Sequence, residues 1–202
     1  SGPRTGLEAR TASVPAAPLE VAEGTAREPA LGAAFPNALR GLFHVRGPVL
    51  RAIDEVIRDG FGAPARDEIV ARLPAPHAAE LRDEAVNALL SYDLEVLDAY
   101  LEAATELVVH DVERWRELGR SAVKGPLATL LRNVVRAEPD LPVFARRSVA
   151  VLSRLFDFAD FGATPLGGGR VEVRARELQG GSRALRLWLL GVLEQAAHRA
   201  TG

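Results

Sequence analysis

The chain has 202 residues, 48% of them hydrophobic and 26% charged, with a formal net charge of −2, so it can bury one sizeable core and carries no bulk charge toward nucleic acid or an anionic surface. Cysteine and methionine are absent, which excludes disulfide scaffolds, thiolate metal sites and cysteine nucleophiles. No run approaches the roughly 18 apolar residues of a membrane span, and no apolar segment follows Arg4, so a cytoplasmic protein with neither membrane insertion nor secretion is expected.

Residues 1–34 scatter Leu7, Val14, Leu19, Val21 and Leu31 among Ala, Pro, Gly, Glu and Thr, too sparsely for an apolar face, which predicts a disordered or extended leader. A single domain is expected over 35–202, beginning near Phe35. Gly47-Pro48 opens the first clear helix, with Val49, Leu50, Ile53, Val56 and Ile57 at helical spacing, and Gly60 and Gly62 close it. Ala63-Pro64 starts a second helix to about Leu73, with Ile69, Val70 and Leu73 on one side. After the corner Pro74-Ala75-Pro76 a third helix is predicted from His77 to Leu90, burying Leu81, Ala85, Val86 and Leu89. Ser91 and Asp93 are cap candidates for a fourth, whose seam is Leu94, Leu97, Leu101, Ala104 and Val108, broken at His110-Asp111.

Asp111 can cap a fifth helix carrying Val112, Trp115, Leu118 and Val123, and Gly125-Pro126 restarts a sixth with Leu127, Leu130, Leu131, Val134 and Val135. The longest helical pattern spans 141–160. The period then changes: Val171, Val173 and Ala175 alternate with Arg170, Glu172, Arg174 and Arg176, a strand whose partner lies over 161–166 across the turn Gly167-Gly168-Gly169, giving a ribbon over about 161–177. Ser182 caps a last helix to about Ala200. The fold class is therefore mainly α: a multi-helix domain, then a small antiparallel strand unit and a C-terminal helix.

Chemistry-bearing residues are sparse. Glu95, Asp98, Glu102 and Glu106 share one stripe of the fourth helix; paired carboxylates suit acid–base work or a hard cation, but one self-repelling stripe reads as a solvated face. His44, His77, His110 and His198 stand singly, with no two-ligand helical spacing, so no metal site is legible. His110 sits at a helix end beside Asp111, where it either stabilises the last carbonyls or, oriented by the carboxylate, ligates a metal or haem. Without a phosphate loop or a nucleophile elbow, no catalytic residue is expected and the chain reads as a non-enzyme. Arg170, Arg174 and Arg176, on one strand face, are candidate anion contacts, while the pI near 6.1 and the lack of interleaved aromatics argue against nucleic acid. In the last helix Leu185, Trp188, Leu189, Val192, Leu193 and Ala196 form a core seam. Leu187 and Leu190 add a second apolar side, the candidate interface of a homodimer or a protein partner.

The runs RGPVLRAIDEVIRDGFGAPARDEIVARLP (46–74), SYDLEVLDAYLEAATEL (91–107), WRELGRSAVKG (115–125) and GVLEQAAHRATG (191–202) resemble a paralogous family of unknown function described from myxobacteria, over about residues 41–202. The shared motifs are the Gly of the early FG, LGR at 118–120 and the Gly before the final LE. The order of helices followed by a small strand unit is also similar to the haem–nitric-oxide-binding domain and to the vinyl-reductase-like small-molecule-binding domains. The haem likeness implies a helix histidine on the iron, for which His110 is placed, and a Tyr-x-Ser-x-Arg motif on the propionates; neither Tyr92 nor Tyr100 starts such a motif. The expectation is a cytoplasmic, non-catalytic binding or regulatory domain that acts through dimer or partner contacts and holds no cofactor. The alternative is a small-molecule sensor with an apolar pocket between helices, haem being one possible ligand.

Overall fold

Pro48, Pro64, Pro76 and Pro142 each stand in the first turn of a helix, where the missing N–H leaves no intrahelical bond unmade. The computed structural model describes residues 41–82, 86–123, 127–129, 131, 140–167, 170–176 and 181–201. The expected leader, the start near Phe35, most of the sixth predicted helix and Gly168-Gly169 lie outside them. In chain order the elements are β1 (His44–Arg46), α1 (Gly47–Phe61), α2 (Ala63–Arg72), α3 (Ala75–Leu81), β2 (Ser91–Asp93), α4 (Leu94–Ala104), α5 (Arg114–Ala122), α6 (Leu141–Leu155), β3 (Asp160–Gly167), β4 (Arg170–Arg176) and α7 (Arg183–Thr201). β1 pairs antiparallel with β2, placing Val45 opposite Tyr92. β3 and β4 form the expected antiparallel ribbon, with Phe161 opposite Ala175 and an irregularity in register between Pro165 and Gly167. The fold is mainly helical, as the periodicities require.

One core runs through these elements. α1 contributes Val49, Leu50, Ile53 and Ile57, α4 contributes Leu94, Leu97, Tyr100 and Leu101, and α7 contributes Leu185, Trp188, Val192 and Ala196, with Trp115, Phe144 and Phe156 among the largest side chains enclosed. Burying each such aliphatic side chain is worth on the order of 1.5–3 kcal/mol.

The local departures from expectation each have a cause. The third helix runs over Ala75–Leu81 instead of reaching Leu90, and near its expected end the Asn87 Oδ1 accepts the Leu89 N–H at 2.9 Å and turns the chain. Leu89 is consequently 91% exposed and not core. Ser91 and Asp93 form β2 instead of capping α4 through their side chains. The helix expected over 141–160 ends at Leu155, since Phe156 turns extended (φ −133°, ψ 130°) and bridges Val45 of β1. Phe158 and Phe161 then gather around Phe156 at ring separations of 5.3 and 6.0 Å.

α4 passes into a single π turn, Thr105–Val109. The Thr105 hydroxyl donates to the Leu101 carbonyl at 2.6 Å and accepts the Trp115 indole N–H at 2.8 Å. The wider turn advances the apolar seam by one residue, so Val109 is fully enclosed and Val108, the expected seam residue, is half-buried.

Candidate functional site

α7 is apolar on nearly every side, and several elements cover it. Trp188, Leu189, Val192 and Leu193 close over an apolar hollow of about 20 Å³, whose other walls are Val49 of α1, Leu127 and Leu131, Ser148, Leu152 and Leu155 of α6, and Phe156. A void of that size accepts about one small group, and an apolar void stays dry. Two polar groups stand in the wall residues. Ser148, 1% exposed, donates its hydroxyl to the Phe144 carbonyl at 3.0 Å. Trp188, equally enclosed, has its indole Nε1 buried without an acceptor among the described residues.

On its other side α7 is tied to α4 and α5. Ser182 caps it through Oγ, which accepts the Leu185 N–H at 3.3 Å, while the Ser182 N–H donates to Asp98 Oδ1 at 2.9 Å. Burial raises the pKa of the Asp98 carboxyl by more than the hydrogen bonds from Ser182 and Gly181 lower it. Arg183 pairs with Glu113, and Arg199 Nη1 donates to the Val123 carbonyl at 3.1 Å. Glu194 receives Arg116 and Arg120, one turn apart on α5, the latter through Nη2 at 2.7 Å. Partial burial pushes the Glu194 carboxyl up, but hydrogen bonds from the two arginines outweigh it and hold the pKa below the usual range.

Between these ties the two helices touch backbone to backbone. A Cβ on Gly119 would lie 2.1 Å from the Trp188 carbonyl oxygen, and one on Gly191 would lie 1.9 Å from that of Arg116. These are the glycines of LGR and of the final LE, so both motifs express one requirement, the close crossing of α5 and α7.

A second polar cluster, absent from the sequence reading, is enclosed between α1, α2, α3 and α4. Asp54 is 2% exposed and Arg66 3%. Asp54 Oδ1 accepts from Arg66 Nε at 3.0 Å and from the Tyr100 hydroxyl at 2.9 Å, while Arg58 Nε lies 3.1 Å from Oδ2. Arg66 Nη2 also donates to the Leu81 carbonyl at 2.5 Å. Burial, reinforced by the Asp54 carboxylate, holds the Tyr100 phenol well above its ordinary pKa. The signal was in the sequence: Asp54 falls on the Leu50, Ile53, Ile57 seam and Arg66 beside Ile69 and Val70, and a charge inside an apolar stripe has to be paired. With its members facing one another, the cluster ties four helices together.

The anticipated site residues are dispersed. His110 is exposed in the left-handed region (φ 60°), with Nδ1 3.2 Å from the Glu106 carbonyl. The carboxylate stripe is not one open face: Glu102 and Glu106 are exposed, Glu95 is half-buried and Asp98 is engaged by the start of α7. Arg170 and Arg174 are exposed on one face of β4, but the buried Glu172 stands between them with Oε2 2.7 Å from Arg174 Nη2, offsetting the charge offered to an anion; Arg176 ends the strand. An open hollow of about 200 Å³, bounded by Asp160, Gly162, Ala163, Thr164 and Arg174, lies on this hairpin. Leu187 and Leu190 are half-buried, and Leu187 packs on the core; among the described residues the exposed large apolar ones are Leu42, Leu89, Leu90 and Leu166. Among the described residues no three or more His, Asp or Glu are grouped to hold a metal ion, and no helix is long and apolar enough to cross a membrane.

Neither the known protein-family models nor the curated protein sequences yield a match to this chain, so neither comparison supports the expected likeness to the myxobacterial family. Among solved structures, one described as "Modulating Heme Redox Potential Through Protein-Induced Porphyrin Distortion" superposes with a TM-score of 0.56 at 17% identity, over 77% of this chain and 85% of that one. The residues here do not fit that group. None of the four histidines lines the hollow, and its 20 Å³ compares with the roughly 300–1,000 Å³ of sites for ligands of drug size or larger. What the two chains share is the fold.

Proposed function

We propose that this chain is a non-catalytic, cytoplasmic regulatory domain that binds a small apolar ligand in the hollow beneath α7. The observation that carries the reading is the hollow itself, an apolar space between α1, α6 and α7 with a buried, unpartnered indole N–H in one of its wall residues. Its size means that a ligand enters by displacing wall side chains. α7 is also the element whose displacement would be felt elsewhere, since its backbone rests on α5. Haem is not the ligand assigned, for the reasons of volume and histidine placement given above.

The test is a series of small hydrocarbons and their oxygenated counterparts, followed by the melting temperature of the full chain. Ligand at about 100 times its Kd adds about 2.7 kcal/mol, which raises the melting temperature by roughly 5–10 °C in a chain of this length. Leu152→Ala, which enlarges the hollow, should strengthen binding. If no compound shifts the melting of either protein, the proposal fails.

A further inference from the structure

We propose that the β3–β4 ribbon carries a second site, separate from the hollow beneath α7, that takes a free α-amino acid, its ammonium on Asp160 and its carboxylate on Arg174. The starting point is Gly162, in the interior of an eight-residue strand. Its φ is not positive, and a Cβ there would meet nothing within 4 Å, so neither the backbone nor the packing of the described residues requires glycine. A glycine inside a strand weakens it, and marks a bulge, a bend or the close approach of another molecule. The register is unbroken from Asp160 opposite Arg176 to Pro165 opposite Val171, which excludes a bulge at Gly162. What the missing side chain leaves is the open hollow of about 200 Å³ bounded by Asp160, Thr164 and Arg174.

Arg174 stands opposite Gly162, and Asp160 lies two residues before Gly162 on the same face. Opposite charges at such diagonal positions are within reach of each other. They form no ion pair: Arg174 Nη2 turns instead to Oε2 of the buried Glu172 at 2.7 Å, and the exposed Asp160 has no partner among the described residues. A guanidinium has five N–H donors, so Arg174 keeps others for a guest. Because Glu172 offsets Arg174, a lone anion gains little here, and a lone cation meets only the solvated Asp160. A molecule with both charges on one small frame meets both groups, with its carbon atoms over Gly162.

Propionate is alanine without its ammonium, and ethylamine is alanine without its carboxylate. Each of the three is titrated into the nitrogen-15-labelled full chain at neutral pH and fixed ionic strength, with the amide signals of Gly162, Thr164 and Arg174 followed. The titrations run to about 50 mM, well above the millimolar affinity expected of so small a ligand. Alanine should move these signals and bind about tenfold more tightly than either fragment, which is what one charge-assisted hydrogen bond is worth. Asp160→Asn should bring alanine down about tenfold, to the level of propionate. Gly162→Val, whose side chain occupies the hollow and suits a strand, should abolish alanine binding without lowering the melting temperature; if that variant does not fold, the parent chain and Asp160→Asn decide. The proposal is overturned if alanine does not bind, if either fragment binds as well as alanine does, or if the alanine shifts persist in Gly162→Val or in Asp160→Asn at undiminished affinity.

Discussion

Replacing Asp54 by Leu would strip the Arg66 guanidinium of the carboxylate that its Nε holds at 3.0 Å, and the Tyr100 hydroxyl of its acceptor at 2.9 Å. Arg66, 3% exposed, would keep the Leu81 carbonyl among its partners but lose the enclosed carboxylate beside it. Breaking a buried pair from one side costs about 3–5 kcal/mol, because the charge that stays behind is not rehydrated. At roughly 2–4 °C per kcal/mol for a domain of this length, the melting temperature should fall by roughly 6–20 °C. Arg66→Met should cost less, since Asp54 keeps Tyr100 and Arg58. Adding Arg66→Met and Tyr100→Phe to Asp54→Leu should recover much of the loss, because the enclosed guanidinium and phenol are then gone and the charge that loses Asp54, Arg58, is about a third exposed to water. Thermal and urea unfolding followed by circular dichroism, on the parent, the three single variants and the triple variant, give the five values. The reasoning is refuted if Asp54→Leu melts within about 2 °C of the parent, under 1 kcal/mol, or if the triple variant is as unstable as the sum of its parts.

Gly191→Ala and Gly119→Ala force Cβ atoms to 1.9 and 2.1 Å from carbonyl oxygens, so each should lower stability by about 1–3 kcal/mol or more by urea midpoint, whereas Gly60→Ala, whose Cβ meets nothing within 4 Å, should be neutral or stabilising. Tyr100 has its pKa raised on folding, so its contribution is complete below the unfolded phenol value near 10 and is lost as pH rises beyond it. In Tyr92→Phe, phenolate absorbance should therefore appear together with unfolding, and a free titration ahead of unfolding would contradict this. Asp98→Ala leaves the Ser182 N–H without its acceptor and should cost about 1 kcal/mol. Asp98→Asn keeps an oxygen there and removes the desolvated charge, so it should melt above the alanine variant.

The starts of α1 and α2 were readable because Pro48 and Pro64 act locally, and the ribbon because Val171 and Val173 alternate with polar residues, whereas Pro76, expected in a corner ahead of the third helix, lies in its first turn. Trp188 was placed in the core by its spacing from Leu185 and Val192 alone, and it is there. The π turn was not readable, since it depends on what the Thr105 hydroxyl bonds and changes the seam by a single residue. Asn87 carried a turn signal that the apolar run of Leu89 and Leu90 obscured. The hollow depends on how far Leu152 stands from Trp188, a distance that no residue identity encodes. The ties from Asp98 to Ser182 and from Glu194 to α5 join residues more than 70 positions apart, beyond any local pattern.

α7 is synthesised after every element that it covers. Until Arg183 and the residues behind it leave the ribosome, the groove made by α1, α4 and α5 has no lid, and the apolar side chains that later meet Trp188 and Val192 face water. Its partners are distant in sequence, 84 residues for Asp98 and Ser182 and 78 for Arg116 and Glu194, so the loop to be closed is long and the closing step comes late. A translational pause before α7 has emerged therefore holds the nascent chain at its stickiest, which makes that the interval in which a chaperone has most to protect.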